Sequence, residues 1–262
     1  MAAVDKGELL EHAVKLAQTA GEIHMRQFRD QNLTTQNKLN DSDIVTAVDI
    51  ASEKAIIEGI RSAYPNHSIL SEESGQTIAG SEYEWVIDPL DGTTNYSAGL
   101  PVFSVSIGVK HRGETVVGVV FAPYLREMFV AAKGWGAFLN GNPIRVKRNE
   151  VLSRAVVGTG FPVDKMDTTD NNIDNFGRVL PVVRDVRRLG SAAMDICYVA
   201  AGVFDAFWEL NLHEWDVCAA LLIASEAGAE YEHFRSDRNV SVLVGSPAIK
   251  NAIRPLLSSQ PG

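Results

Sequence analysis

The chain of 262 residues is 45% apolar and 8% aromatic, enough to bury a substantial core as one large domain or two merged ones. Its formal net charge is −9 and the acidic residues are scattered, so it offers no basic stripe for nucleic acid, and none is expected as a partner. Asp5, Lys6, Glu8 and Glu11 stand where an export signal needs a basic start and an unbroken apolar stretch, and no apolar run approaches the roughly 20 residues that span a bilayer. No membrane contact is expected, and the cytoplasm is the default location.

From Gly7 to Phe28, apolar residues at Leu9, Ala13, Leu16, Ala17, Ala20 and Ile23 recur at helical spacing and predict a long amphipathic helix. Asn32 to Ser42 is polar and reads as a loop. A second helix is expected from about Val45 to Tyr64, ended by Pro65. Ser68 to Leu70 is a short strand leading into Glu72-Glu73, and Trp85-Val86-Ile87 is another, ending at Asp88. Val102 to Val109, Thr115 to Phe121 and Met128 to Ala132 alternate apolar with small or polar residues and predict an antiparallel meander. Gly134 to Pro143 reads as a hairpin and Ala155 to Gly158 as a new strand. Thr168 to Arg184 has helical character interrupted by Gly177 and Pro181. After it come a helix (Ser191 to Ala201), a strand (Val203 to Trp208), a helix (Trp215 to Ala227), a strand (Val242 to Val244) and a last helix (Ala248 to Leu257). That alternation argues for helices layered on sheets in the second half. Cys197 and Cys218 lie in apolar helical stretches and read as core thiols without a disulfide. The expected organisation is an α+β part over 1–150 and an α/β part over 151–262, joined as one integrated unit.

Three acidic clusters end strands or open helices: Glu72-Glu73, Asp88 with Asp91, and Asp216. Carboxylates at a strand exit suit hard divalent cations such as Mg²⁺, which take oxygen ligands and keep positions open for phosphate. Gly92-Thr93-Thr94 adds backbone N–H groups, and a helix starting there favours an anion. Were the clusters to converge, two Mg²⁺ ions could clamp the attacking and leaving oxygens of a phosphoryl displacement. Each cluster alone has a plainer reading, since Asp and Glu cap helices and Asp-Gly marks turns.

Asp88-Pro89-Leu90-Asp91-Gly92-Thr93-Thr94-Asn95 resembles the D-P-I/L-D-G-T-x-N signature of the inositol monophosphatase family, and Trp215-Asp216 resembles its W-D signature. Leu70 to Ser74 is similar to its G-E-E-S segment, Asp43 to Asp49 to its D-x-V-T-x-x-D helix start, and Gly190 to Ala193 followed by Ala206 to Glu209 to the segment before W-D. The likeness runs from about Gly7 to Pro247. It implies an α+β, layered αβαβα sugar-phosphatase fold with an antiparallel N-terminal sheet and a mixed C-terminal part. It also implies Mg²⁺-dependent, lithium-sensitive hydrolysis of a small polyol phosphate, inositol 1-phosphate by default, in a homodimer. Fructose 1,6-bisphosphate, histidinol phosphate and a nucleotide 3′-phosphate are alternatives within the same chemistry. A regulatory protein-binding role on the same fold is an alternative of another class.

The resemblance further implies that Glu72, Asp88 and the Leu90 carbonyl hold one metal and that Asp88, Asp91 and Asp216 hold a second, with a third possible. Thr93 and Asp49 would orient the attacking water, so Thr93, Asp49, Glu72 and Asp91 are the expected catalytic set. Phosphate would rest on the N–H groups of Gly92 and Thr93, with Asp91, Ala192, Glu209 and Asp216 facing the alcohol. Lys38 matches a family lysine near the metals. His213 reads as an orienting or packing residue, because Mg²⁺ prefers oxygen, and Arg184, Arg187 and Arg188 read first as a solvated face and second as an anion site or a subunit interface. Ala220 and Ala229 replace family glycines, which puts the shape of the alcohol pocket in question.

Overall fold

The computed structural model describes residues 5–30, 35–37 and 44–258; Lys38 and Asp43 lie outside them. Helix α1 (Lys6–Gln27) buries Leu9, Ala13, Leu16, Ala17, Ala20 and also His24. Strand β1 (Thr35–Asn37) pairs antiparallel with β2 (Ile44–Thr46), so the stretch expected to be only loop contains a short ladder. Helix α2 (Ala47–Ala63) begins at a capping box: the Thr46 hydroxyl accepts from the N–H groups of Val48 and Asp49, while the Asp49 carboxylate accepts the Thr46 N–H.

Strands β3 (Ser68–Ser71), β4 (Gly75–Thr77) and β5 (Tyr83–Asp91) follow, then the single-turn α3 (Thr93–Ser97). The meander is β6 (Ser104–His111), β7 (Glu114–Ala122) and β8 (Glu127–Ala132), extended by the hairpin of β9 (Ala137–Leu139) and β10 (Asn142–Pro143). Together these form an eight-stranded sheet in the order β10-β9-β8-β7-β6-β5-β3-β4, antiparallel except where β3 runs parallel to β5. In the second half, β11 (Val156–Thr159) precedes α4 (Ile173–Val179) and β12 (Asp185–Arg187). Then come α5 (Ala192–Ala200), β13 (Ala206–Leu212), α6 (Glu214–Glu226), β14 (Glu230–Arg235), β15 (Val240–Gly245) and α7 (Pro247–Ile253). The second sheet is five-stranded and mixed, in the order β12-β11-β13-β15-β14.

The apolar clusters show the layering. One cluster joins Leu9, Ala13, Ile56 and Ile60 of α1 and α2 to Trp85, Ile87, Val105 and Val119 of the large sheet. A second joins that sheet's Val120 and Phe129 to α5, α6 and the inner face of the small sheet through Phe207, Val242 and Val244. A third packs Val157, Trp208 and Leu243 against Ile249 and Ile253 of α7. The order is therefore helices, sheet, helices, sheet, helices, the αβαβα arrangement expected. Burying each large apolar side chain contributes about 1.5–3 kcal/mol before entropy is counted. Ala220 and Ala229 sit in the central cluster, and both cysteines are buried and free. Among the described residues, no helix is long and apolar enough to cross a membrane.

Several elements differ from expectation. Strand β5 continues through Asp88 to Asp91 instead of ending at Ile87. The helix expected over 168–184 is confined to α4, because Pro181 turns the chain into a 3-10 turn before β12. Strand β13 starts at Ala206 and not at Val203, because the Val203 and Phe204 N–H groups turn back to the Tyr198 carbonyl at 2.9 and 3.0 Å. Pro255 ends the last helix in a 3-10 turn. The edge strand β14 escaped notice because Glu230-Tyr231-Glu232-His233 is polar.

Candidate active site

The site forms where β5 ceases to be a regular strand. Its ladder to β6 pairs Asp88 with Ser106 and Asp91 with Ser104, so three steps on β5 match two on β6. One extra residue undoes the usual alternation, and two carboxylates three apart come to serve one face. Pro89 suits the bulge because it has no N–H to leave unpaired. The Leu90 N–H turns back to Asp88 Oδ1 at 3.0 Å, and the Leu90 side chain is buried with Val48, Tyr96 and Phe103. Gly92 follows at φ +91°, where a methyl group would also stand 3.0 Å from the Val102 carbonyl oxygen. Only glycine takes that conformation readily.

Other elements bring their groups to this turn. Asp91 Oδ2 accepts the Ser191 hydroxyl at 2.6 Å and the Ala193 N–H at 2.9 Å, which fixes it to the start of α5 beside Ala192. Asp216 Oδ2 accepts the His213 N–H at 2.7 Å in a capping box at the start of α6, and the His213 ring stacks on Trp215 at 4.6 Å. His213 is thus a capping and packing residue. Glu72 leaves β3 with its N–H on the Ile87 carbonyl at 3.2 Å. The turn that carries it is held from α2, where Glu53 Oε1 receives the N–H groups of Glu73 at 3.1 Å and Ser74 at 3.0 Å. Asp49, fully buried one helical turn before Glu53, lies with Oδ1 2.9 Å from the Thr93 hydroxyl. That hydroxyl is also 3.0 Å from the Leu90 carbonyl, so its single proton has two acceptors. Asn95 ends the motif and donates to the carbonyls of Val102 and Leu189, each at 2.7 Å.

Charge on these groups is costly. Asp88, 2% exposed, is pushed well above the ordinary carboxylate range by burial and then by Glu72, Asp91 and Asp216. Burial and Glu72 likewise raise Asp216, against the pull of the His213 N–H. Asp91 rises to about 6, with burial winning over its bonds to Ser191 and Ala193. Burial raises Asp49 as well, despite its bonds to Thr46 and Thr93.

Among the described residues, no lysine or arginine forms an ion pair with Asp88, Asp91 or Asp216. Asp88 and Asp91, buried, and Asp216, half-buried with the His213 ring near it, are all oxygen donors of the kind a hard divalent cation takes. No three acidic, thiol or imidazole side chains among the described residues are drawn into a closed coordination group. Glu72, Asp91 and Asp216 nevertheless each raise Asp88, and oxygen donors of this kind suit such an ion.

Glu209, on β13, packs its carboxyl group against Gly160, where any side chain would overlap it. Burial lifts Glu209 to about 8, opposed by Arg188 and aided by Asp91. Asp195 joins Glu209 here without any signal in the sequence, and Arg188 bears on both. Asp195, one turn into α5, is buried with Oδ1 unpartnered, and burial, Glu209 and Asp91 raise it while Arg188 lowers it. Arg188 is exposed, as its reading as part of a solvated face has it, and its charge lowers both carboxyls from the edge of the site. Its position two residues before Gly190-Ser191 is the only hint in the sequence. A cavity of about 760 Å³ lies elsewhere, lined by Lys110, Lys133, Leu221 and Tyr231 and holding none of the predicted carboxylates.

Residues 5–260 match the model of the inositol monophosphatase family. The chain belongs to that family. A relative from Pseudomonas aeruginosa named "Nus factor SuhB" is 42% identical over 231 residues, covering 86% of this chain and 85% of its own. The extragenic suppressor protein SuhB of Bartonella henselae superposes with a TM-score of 0.88 at 33% identity, over 95% of this chain and 98% of that one. An inositol monophosphatase from Anabaena superposes with a TM-score of 0.85 at 36% identity, over 95% of each chain. Membership in the inositol monophosphatase family accounts for the fold, and the names of these relatives divide between an enzyme and a factor.

Proposed function

We propose that the protein is a Mg²⁺-dependent phosphatase of a small polyol monophosphate, with inositol 1-phosphate as the first substrate to test. The observation that carries this reading is that Glu72, Asp91 and Asp216 all bear electrostatically on buried Asp88 at one bulged strand end, with the Thr93 hydroxyl on Asp49 Oδ1. Glu72, Asp88, the Leu90 carbonyl, Asp91 and Asp216 would hold the metal ions. Bound Mg²⁺ supplies neutralisation of phosphate charge and an acidified water.

The chain's own groups have distinct tasks. Asp49 Oδ2 is occupied by the Thr46 N–H at 2.9 Å, which leaves Oδ1 to receive the Thr93 proton. With its proton so directed, the Thr93 oxygen can accept from the attacking water, whereas a threonine hydroxyl is too weak an acid to act as the base. The bonds from Ser191 and Ala193 hold Asp91 in one orientation. Glu209, with a proton affinity near neutrality, can accept from or donate to a polyol hydroxyl, and Arg188 tunes it.

The test is phosphate release from inositol 1-phosphate, fructose 1,6-bisphosphate, histidinol phosphate and a nucleotide 3′-phosphate, with and without Mg²⁺. Turnover requiring Mg²⁺ and lost in both Asp91→Ala and Asp216→Ala is expected; turnover surviving both changes would falsify the assignment. A second reading, a regulatory protein-binding role, is favoured by the name "Nus factor" on a relative 42% identical. It predicts that the two alanine variants keep partner binding after losing turnover.

A further inference from the structure

Two backbone carbonyls in the β5 bulge have left the ladder to β6. That of Leu90 meets the Thr93 hydroxyl at 3.0 Å, a group belonging to the motif itself. That of Pro89 is met from far away in sequence: the His24 ring, on the last turn of α1, places Nε2 2.9 Å from it. A carbonyl oxygen only accepts, so Nε2 carries a proton, and burial among apolar rings keeps the imidazole neutral. Nδ1 is then a bare lone pair, and among the described residues it has no partner. Its surroundings agree, since the ring lies edge-on to Tyr96 at 6.0 Å and Phe103 at 5.9 Å. His24 is 0% exposed, and burial lowers its proton affinity to about 4, so the ring adds no charge beside the carboxylates at ordinary pH.

The backbone of the same residue is held too. The Tyr96 hydroxyl, from α3 just beyond the motif, donates to the His24 carbonyl at 2.6 Å, and the Phe28 N–H reaches that carbonyl at 2.9 Å. The end of α1 is therefore tied to the turn on both sides of Asp91, at Pro89 by the imidazole and at Tyr96 by the phenol. Between these ties lie Leu90 and Gly92, the first packed in the apolar cluster with Val48, Tyr96 and Phe103 and the second in the left-handed region.

We infer that His24 is a positioning residue for the Asp88 to Asp91 turn, holding the Pro89 carbonyl through Nε2–H so that Asp88 and the Leu90 carbonyl keep the arrangement a divalent cation needs. The inference rests on the metal-site reading above. Bonds of this outer kind commonly matter by 10–100-fold in metal affinity. No ordinary helix-face role needs a donor here, since the buried Leu9, Ala13, Leu16 and Ala20 of α1 are apolar.

The experiment is Mg²⁺ binding by titration calorimetry on the full chain, comparing wild type with the near-isosteric pair His24→Gln, which keeps a donor, and His24→Met, which does not. Expected is a Kd about tenfold or more weaker for His24→Met and within about twofold of wild type for His24→Gln. Equal affinity in wild type and His24→Met overturns the inference. A second measurement needs no variant. In the wild type, the nitrogen-15 spectrum of His24 should show the Nε2–H tautomer, with its proton resonance moving along the same Mg²⁺ saturation curve. An Nδ1–H tautomer, or a resonance that ignores Mg²⁺, overturns the inference even if His24→Met does not fold. Asp91→Asn separates the levels: if Mg²⁺ heat is unchanged in that variant, the metal-site reading itself has failed, whatever His24 does.

Discussion

Replacing Glu209 with glutamine keeps the shape of the side chain and removes its charge, so its effect on stability should depend on pH. Burial lifts the Glu209 carboxyl from 4.5 to about 8, against the pull of Arg188 and with a push from Asp91. A carboxyl with a raised folded-state value binds its proton more tightly in the folded chain. The stability it contributes is therefore present below pH 4.5 and lost as the pH climbs through 8. At 1.36 kcal/mol per unit the whole shift corresponds to about 5 kcal/mol. Glu209 is partly exposed, so water screens it and about 2–3 kcal/mol is the expected change. Glutamine titrates nowhere in this range. Urea unfolding of both proteins in EDTA at pH 5, 6.5 and 8 gives the difference directly. The glutamine variant should gain on the wild type steadily, by about 2–3 kcal/mol from pH 5 to 8. A difference constant to within about 0.5 kcal/mol across that range would refute the account of Glu209 as a desolvated, charge-crowded carboxyl.

Asp91→Asn and Asp216→Asn should each lower Mg²⁺-dependent phosphate release by at least about 100-fold, beyond what outer partners of a metal usually cost. In EDTA each should leave the chain as stable as the wild type or more so at pH 8, because a buried negative charge has gone, and thermal unfolding reads this. Gly92→Ala forces a side chain into φ +91° close to the Val102 carbonyl; about 1–3 kcal/mol of stability should be lost, visible as a lower Tm. Gly160→Ala pushes the Glu209 carboxyl out of its seat, so KM for a polyol phosphate should rise several-fold with little change in kcat. An equal fall in kcat would place Glu209 among the reacting groups instead. Arg188→Ala removes the charge that lowers Glu209 and Asp195, and the pH profile of KM should move to more alkaline values.

Much of this was open to a reader of the sequence because its signals are local. Helical spacing marked α1, α2, α5 and α6, alternation marked β6 to β8, and Asp88-Pro89-Leu90-Asp91-Gly92-Thr93 marked a turn rich in oxygen donors. What stayed hidden depends on partners distant in the chain. The polar strand β14 exists because β15 pairs with it, and the short β1 exists because β2 does. Propensity is blind to both. Nothing local in the sequence sets Glu53 apart from the other charges of α2; the Glu73 and Ser74 N–H groups it receives come from beyond the helix, and the exposed Arg188 bears on Glu209 and Asp195 only because folding brings β13 and α5 near it.

The sequence alone determined the residue types of the site, their order and the family they belong to, since a motif is a statement about neighbours in the chain. Only the tertiary structure decided that a bulge turns Asp88 and Asp91 to one side. It also decided that α5 and α6 deliver Asp91's partners and Asp216, and that His24 closes on Pro89 across 65 residues of chain. The physical reason is that a carboxylate's proton affinity and a carbonyl's unmet bond are set by whatever folding brings against them.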